Sequence, residues 1–303
     1  MREFALFIGL VLVWGSNWLA VKIGLDTAPP FWFATIRFIV AFVVLGAIVL
    51  LKKPDYSLVK RNIGKIFAAG FLAYGFCYAT IHWGQRFISS GTAAVLFASI
   101  PFFVALFSVR MLPDEKVTPL KVIGMIIGFS GLVVIFFGDI SLRGNDALLG
   151  AAMIVLSSVA AGFTAVFIKR HLREVDSLLL THTQMIPGLL FLLILALIFE
   201  DISAFELNTN FILPALYLAI FGTAFAFWGY FYLLARVNVV KLSLIGFLTP
   251  VIALCLGWLV LDESITARFA GGIVLVLAGV WFASREPKPS AADAAIKEPV
   301  TGK

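Results

Sequence analysis

The chain has 303 residues, of which 61% are hydrophobic and only 13% are charged, and its formal net charge is +6. A soluble domain has about a quarter of its residues charged, so this composition excludes a soluble protein. The mean hydropathy of +1.04 indicates that lipid is the solvent. The composition therefore predicts an all-α integral membrane protein.

Ten hydrophobic runs follow one another along the chain, and each is long enough to cross a bilayer as a helix, at about 20 residues and ~1.5 Å of rise per residue. They are Phe4–Gly24, Phe31–Leu51, Ile66–Gln85, Gly91–Met111, Leu120–Phe137, Ala147–Ile168, Leu178–Phe199, Phe211–Leu234, Leu242–Leu261 and Phe269–Ala283. The first run is too long for the apolar core of a signal peptide, so we expect it to be a retained span.

The basic residues predict how these spans are oriented. When the N-terminus is placed in the cytoplasm, most of the 23 Lys and Arg residues fall on the cytoplasmic side, which predicts that both termini are cytoplasmic. The opposite side retains Lys22, Arg37, Arg86, Arg143 and Arg268. The orientation of the chain in the lipid bilayer therefore explains its basic net charge, and no nucleic-acid partner is expected. Residues 286–303 have no apolar period and are expected to form a disordered cytoplasmic tail.

The two halves of the chain repeat each other. The segment MLPDEKVTPLKVIG, from Met111, matches VLDESITARFAGG, from Val260, at a shift of 148 residues. This shift places Asp114 on Asp262, Glu115 on Glu263, Thr118 on Thr266, Gly124 on Gly272 and Gly131 on Gly279. A shift of 147 places Lys22 on Lys169 and Arg37 on Gln184, and a shift of 149 places Pro101 on Pro250.

Five spans in each half would turn the second copy upside down relative to the first. We therefore predict one five-helix repeat over residues 1–138 and a second, inverted five-helix repeat over residues 139–285. Each acidic pair then marks a short turn between helices, with Thr118 or Thr266 capping the helix that follows. Inverted repeats are typical of secondary transporters, because two packings of the same halves provide two conformers.

Several of these features resemble a known family. The segments WGSNWLAVKIGL and PPFWFATIRF, the intramembrane Pro101 and Pro250, and the two DE...T...G......G turns are similar to EamA-type members of the drug/metabolite transporter superfamily. The resemblance covers about residues 4 to 285. It implies a ten-helix carrier of the bacterial inner membrane with cytoplasmic termini, often an exporter of amino acids or related metabolites. It does not select one substrate, so drugs, nucleobases and sugars are alternatives.

Charged and polar residues inside the spans are the first candidates for the substrate site, because such groups are costly in lipid. Arg37 lies about six residues inside the second span, and no Asp or Glu lies inside any span. Arg37 either binds a substrate carboxylate or phosphate, or snorkels and bonds helix-end carbonyls. Lys22 is either an interfacial anchor or a substrate contact. Near Trp14, Asn17 bonds either a substrate or a neighbouring helix.

Aromatic residues in the third and eighth spans are the second group of candidates. Tyr74, Tyr78 and His82 recur at four-residue spacing and share a helical face, and Trp228 and Tyr232 lie in the corresponding span of the second half. These rings either line a cavity for an amphipathic or aromatic solute or pack as core. His82 could also titrate and couple proton movement to transport.

The predicted substrate site therefore comprises nine residues, which are Arg37, Asn17, Trp14, Tyr74, Tyr78, His82, Trp228, Tyr232 and Lys22. Pro101 and Pro250 are either hinges or static kinks. Cys77 and Cys255 fall inside spans and form no metal-ligand pattern, so neither metal nor cofactor is expected. The loops show no catalytic spacing, which disfavours the alternative of a membrane-embedded transferase. We expect a carrier of a small molecule, acting as a monomer or homodimer.

Overall fold

The computed structural model describes residues 2–25, 27–88, 90–137, 144–201, 207–261 and 267–285. Within these ranges the chain forms ten helices and no strand. The predicted all-helical class is therefore confirmed. Asp262, Glu263 and Thr266, the side chain of Lys22 and the tail 286–303 lie outside the described part.

The ten helices correspond one to one with the ten hydrophobic runs. In chain order they are α1 (Arg2–Leu25), α2 (Pro30–Lys52), α3 (Ser57–Gly84), α4 (Ser90–Phe97 and Ile100–Met111), α5 (Pro119–Ile135), α6 (Asn145–His171), α7 (Ser177–Phe199), α8 (Thr209–Leu234), α9 (Val239–Ser243 and Ile245–Leu261) and α10 (Ala267–Ser284). Six of them, namely α2, α3, α4, α6, α7 and α8, are long and apolar enough to cross a membrane.

Two helix starts differ in how well the sequence predicted them. Helix α3 begins at Ser57, nine residues before the predicted Ile66, because Asp55 accepts hydrogen bonds from the backbone N–H and the hydroxyl of Ser57 at 2.9 and 2.6 Å. These bonds lower the pKa of the Asp55 carboxyl. Thr118 caps α5 as predicted, since its Oγ1 accepts from the backbone N–H of Lys121 at 3.4 Å.

Helices α3 and α8 each contain one segment of π-helix, which the sequence analysis did not predict. The segments are Phe71–Phe76 in α3 and Ile220–Phe225 in α8, and the shift of 149 residues superposes them. A π-helical turn inserts one residue into the helix and changes where its carbonyl groups point. The two halves therefore share a local irregularity as well as a sequence pattern.

The two predicted hinge prolines have different surroundings. Pro250 lies inside the continuous stretch Ile245–Leu261 of α9. Pro101 instead occupies the first turn of Ile100–Met111, where a proline costs little. The interruption of α4 lies at Ala98 and Ser99, in the middle of the span and directly before Pro101, whose ring and missing N–H disfavour a continuous helix there. Their hinge role stays a prediction.

Helices α5 and α10 pack against each other through glycine. A Cβ atom added at Gly124 would lie 2.6 Å from the carbonyl oxygen of Gly279, and one added at Gly131 would lie 2.7 Å from that of Gly272. The shift of 148 residues relates Gly124 to Gly272 and Gly131 to Gly279. The contact is therefore reciprocal, as it is where two copies of one surface meet about a two-fold axis. Such small residues allow close backbone approach in lipid.

The remaining helix contacts are paired in the same way. Helix α1 packs on α9 and α8, and its counterpart α6 packs on α4 and α3. Helix α2 contacts α7 and α8, and α7 contacts α2 and α3. These pairs bring α1, α2, α3 and α8 together, and they are the helices that carry the predicted substrate residues.

Candidate functional site

The carbonyl oxygen of Gly222, in the π segment of α8, is where three predicted site residues converge. Trp14 donates to it from Nε1 at 3.3 Å, and Arg37 donates from Nη2 at 3.2 Å. The side chain of Asn17 lies so close that its Oδ1 would be 2.5 Å from a Cβ added at Gly222. A larger residue here would therefore have to displace the Asn17 side chain. The Asn17 Oδ1 atom itself is buried and has no hydrogen-bond partner.

Arg37 is buried, with 5% of its surface exposed. Its Nε donates to the hydroxyl oxygen of Thr223 at 2.6 Å, next to the bond to Gly222. Its guanidinium carbon lies 5.7 Å from the ring centre of Tyr78 and 5.9 Å from that of Phe38, within the range of cation–π attraction. In the described part of the chain no carboxylate lies within ion-pair distance of Arg37.

Two of these rings belong to a connected set of five, which we call the central aromatic cluster: Trp14, Phe38, Tyr74, Tyr78 and Phe227. Phe38 lies 5.5 Å from Tyr74 and 5.0 Å from Tyr78, measured between ring centres. Phe227 lies 4.7 Å from Tyr74 and 5.7 Å from Trp14. All four contacts are edge-to-face, the arrangement that aromatic quadrupoles favour. The cluster therefore joins α1, α2, α3 and α8 beside one cation.

A cleft leads from one end of the helix bundle toward the cluster. It has a volume of about 260 Å³ and is lined by Pro29, Pro30, Phe31, His82, Arg86, Phe199, Glu200 and Asp201. The ring of His82 lies 6.5 Å from Phe31 and 5.9 Å from Tyr78. Because Tyr78 contacts Arg37, the cleft and the arginine are connected through two side chains of α3.

Glu200 holds the mouth of this cleft in place. Its two carboxylate oxygens accept hydrogen bonds from the backbone N–H groups of Phe31 and Trp32, both at 2.9 Å. These are unpaired donors at the start of α2, and a negative charge there is stabilised by the helix dipole. Glu200 therefore ties the end of α7 to the start of α2.

A second set of polar contacts lies at the other end of the bundle, and we call it the polar latch. Lys169, at the end of α6, lies 3.2 Å from the Oε1 atom of Glu115 and donates to the carbonyl oxygen of Val237 at 2.6 Å. The Oε2 atom of Glu115 accepts from the backbone N–H of Val239 at 2.7 Å. The latch thus joins the α4–α5 turn to α6 and to the α8–α9 connection.

The course of α7 shows that the latch and the cleft lie at opposite ends. Helix α7 begins at Ser177, soon after the helix that carries Lys169 has ended, and it ends at Phe199 in the cleft wall. Its 23 residues span about 35 Å at ~1.5 Å per residue. The bundle is therefore open at one end and fastened by an ion pair at the other.

The structure brings together six of the nine predicted site residues and places two elsewhere, and the side chain of the ninth lies outside the described residues. Trp14, Asn17, Arg37, Tyr74, Tyr78 and His82 belong to one connected group. Trp228 and Tyr232 contact each other at 6.1 Å on the face of α8 away from Phe227, and Tyr232 also stacks under Arg236. The ninth is Lys22. Their role in binding stays a prediction.

Sequence reasoning missed the backbone of Gly222 and the side chains of Thr223 and Phe38. Phe38 directly follows Arg37, but one phenylalanine among 30 carries no signal of its own. Gly222 and Thr223 belong to the π segment, and no sequence pattern in one chain marks such a segment. Only a comparison with the equivalent positions of the other repeat could have suggested Gly222 and Thr223.

The EamA-like transporter family matches residues 1–137 and 148–285. The uncharacterized transporter YoaV of Bacillus subtilis is 29% identical over 275 residues, which are 90% of this chain and 94% of that protein. The uncharacterized inner membrane transporter YedA of Escherichia coli K12 is 28% identical, over 84% of this chain and 81% of its own. A crystal structure with 18% identity superposes with a TM-score of 0.83, over 94% of this chain and 98% of that one, which shows a shared fold.

Proposed function

Because the chain belongs to the EamA-like transporter family and is a multi-pass membrane transporter, we propose that it carries small zwitterionic or carboxylate metabolites across a bacterial inner membrane. The substrate class is neutral or aromatic amino acids and related carboxylates, and the direction is export. Transport is secondary, driven by gradients rather than by ATP. The protein alternates between conformers that are open to one side of the membrane at a time.

The observation that carries this proposal is the unbalanced charge of Arg37. An arginine inside a membrane protein is costly unless it is paired, and Arg37 has only neutral partners among the described residues. These partners engage Nε and Nη2, and in this proposal the substrate binds at the Nη1 side of the guanidinium. A substrate carboxylate would complete the charge balance with short, charge-assisted hydrogen bonds. The surrounding rings suit an apolar or aromatic side chain.

The architecture we propose is ten membrane spans in two inverted five-helix repeats. Two features support it: the reciprocal glycine contacts of α5 and α10, and the equivalent π segments of α3 and α8. Inverted halves supply two packings of similar energy, which is what a carrier needs to expose one site alternately.

The described conformer corresponds to the outward-facing state in this proposal. The polar latch lies at the end that carries most of the Lys and Arg residues, which the positive-inside rule assigns to the cytoplasm. The cleft beside Glu200 then opens on the outer side. Both termini are cytoplasmic in this orientation. Opening toward the cytoplasm requires that Glu115 and Lys169 separate.

Counterflow in proteoliposomes tests the proposed function. Vesicles are loaded with one unlabelled amino acid at a time, and entry of the same labelled compound is followed with and without a proton ionophore. We expect accumulation for a neutral or aromatic amino acid, and a loss of about 10-fold or more in Arg37→Gln, since a hydrogen bond to a charged group contributes about 1.5–3 kcal/mol. Arg61→Gln, which changes an exposed arginine of α3 away from the cleft, is the matched control.

Two results would contradict the proposal. If no amino acid or carboxylate gives counterflow while nucleobases, sugars or cationic drugs do, the substrate class is wrong and the carrier function stands. If Arg37→Gln folds normally and transports an amino acid as well as Arg61→Gln does, the charge of Arg37 has no part in substrate binding.

A further inference from the structure

Gln184 in α7 is a buried polar residue that the arrangement around Arg37 does not explain. Its side chain is completely inaccessible to solvent, and neither the Oε1 nor the Nε2 atom of its amide has a hydrogen-bond partner. Burying an amide without partners is unfavourable by about 2–7 kcal/mol. Because nearly all buried polar groups in proteins are paired, the partner of this amide is a group outside the chain, either an ordered water or a ligand.

The repeat places Gln184 at the position equivalent to Arg37, at a shift of 147 residues. Arg37 contacts the π segment of α8. Gln184 lies against the helix that carries the other π segment, since a Cβ added at Gly70 of α3 would meet its backbone. One turn further along α7, Gly188 packs closely against Tyr74 and Gly75 inside that segment. The two halves therefore hold Arg37 and Gln184 in corresponding places.

Three further buried polar atoms without partners lie on α1, α3 and α6. The hydroxyl of Tyr74 in the central aromatic cluster is unpaired, and so is the Oδ1 atom of Asn17 beside Gly222. Thr164, which the shift of 147 places opposite Asn17, has an unpaired Oγ1. One buried cation and several unpaired neutral groups are therefore present around the helices that carry the cluster.

We propose that Gln184 is the second polar contact of the substrate: its amide oxygen accepts a hydrogen bond from the substrate ammonium group while Arg37 holds the carboxylate. This inference rests on the proposed function and names the group that selects amino acids over simple carboxylates. A neutral acceptor suits a carrier, because an aspartate or glutamate in the same site would compete with the substrate carboxylate for Arg37. Aromatic faces nearby add attraction for the ammonium.

The empty protein offers a test that does not depend on the substrate. Replacing an unpaired buried amide by an apolar group of similar length removes an unfavourable term, so Gln184→Met should unfold at the same temperature as the wild type or at a higher one. The matched control is Gln85→Met at the end of α3, the other glutamine of the chain. A melting temperature clearly below that of the control would show that the amide has a structural partner, which would overturn the proposal.

The binding test compares an amino acid with the same molecule lacking its amino group. Ligand-induced thermal stabilisation of the detergent-solubilised chain is titrated with the pairs L-phenylalanine and 3-phenylpropionate, and L-leucine and 4-methylpentanoate. We expect the wild type to bind the amino acid at least about 10-fold more tightly than its analogue. Gln184→Met should lose that preference, with about 10-fold weaker amino-acid binding and analogue binding unchanged within about twofold.

Each result separates this inference from the proposed function. If Gln184→Met keeps the wild-type preference while Arg37→Gln loses binding, the proposed function stands and the role of Gln184 is wrong. If the wild type binds the carboxylate analogues as well as the amino acids, Arg37 retains its role and the ammonium contact is wrong. If neither member of either pair binds, the amino-acid substrate and the contact are both wrong.

Discussion

The polar latch makes a quantitative prediction about which end of the carrier is open. At 3.2 Å, two unit charges attract by ~5 kcal/mol at an effective dielectric constant of about 20. Desolvation offsets much of this, and removing one partner of a buried pair typically costs ~3–5 kcal/mol. The side chains of Lys169 and Glu115 are 9% and 15% exposed, and Lys169 keeps its bond to the Val237 carbonyl. We therefore expect Glu115→Gln to cost about 2–3 kcal/mol.

This loss applies only to the conformer in which the latch is closed. It should shift the equilibrium toward the conformer open at the latch end by about 30- to 150-fold. The assay is labelling of a single cysteine by a maleimide added from the latch side. Ser243→Cys is the reporter, because Ser243 is buried in the first part of α9, just beyond the latch. Cys77 and Cys255 are replaced by serine.

We expect faster labelling in Glu115→Gln than in the parent protein, and parent-like labelling in Glu174→Gln, which changes an exposed carboxylate near the same end. Exchanging the two charges should not restore closure, because the Val239 N–H faces residue 115 and the Val237 carbonyl faces residue 169. Labelling that is the same in Glu115→Gln and Glu174→Gln would refute the idea that the latch sets the open end.

Two further predictions concern packing and helix capping. Gly279→Ala should destabilise the chain by about 1–3 kcal/mol, because its Cβ would lie 2.5 Å from backbone atoms of α5. Gly271→Ala on the same helix has nothing within 4 Å of its Cβ and should leave the melting temperature in detergent unchanged. Equal melting temperatures of the two variants would contradict the described α5–α10 contact. Glu200→Gln should cost ~1 kcal/mol, since its carboxylate accepts from the N–H groups of Phe31 and Trp32; a melting temperature that does not fall, at low salt, would count against this cap.

The helices were predictable because lipid imposes a simple rule on sequence. A span must be apolar over about 20 residues, so each of the ten predicted runs overlaps one helix. The start of α3 was missed by nine residues because Ser57–Lys65 contains three basic residues, and hydropathy cannot detect a helix that continues beyond the apolar region. There the Asp55 cap sets the boundary, and capping acts through single hydrogen bonds.

The site was predictable where a polar residue is energetically costly inside a membrane span. Arg37 and Asn17 stood out because polar groups are rare inside spans, and the structure places both at Gly222. The latch was not predicted, because Glu115 and Lys169 are 54 positions apart and each looked like an ordinary helix-end charge. Gln184 was matched to Arg37 by the repeat, yet its significance depends on having no partner, which only the packed structure reveals.

The two halves pack similarly but carry different polar groups. We expect this difference to decide which conformer of such a carrier is preferred. If both halves had identical sequences, the two conformers of an inverted repeat would have equal energy, and no side would be preferred. Here the ion pair between Glu115 and Lys169 adds stability to one conformer. A ligand that binds both conformers equally shifts nothing. A substrate held between Arg37 of one half and Gln184 of the other contacts both halves at once, so its affinity depends on how they are arranged. Such a substrate can offset the latch.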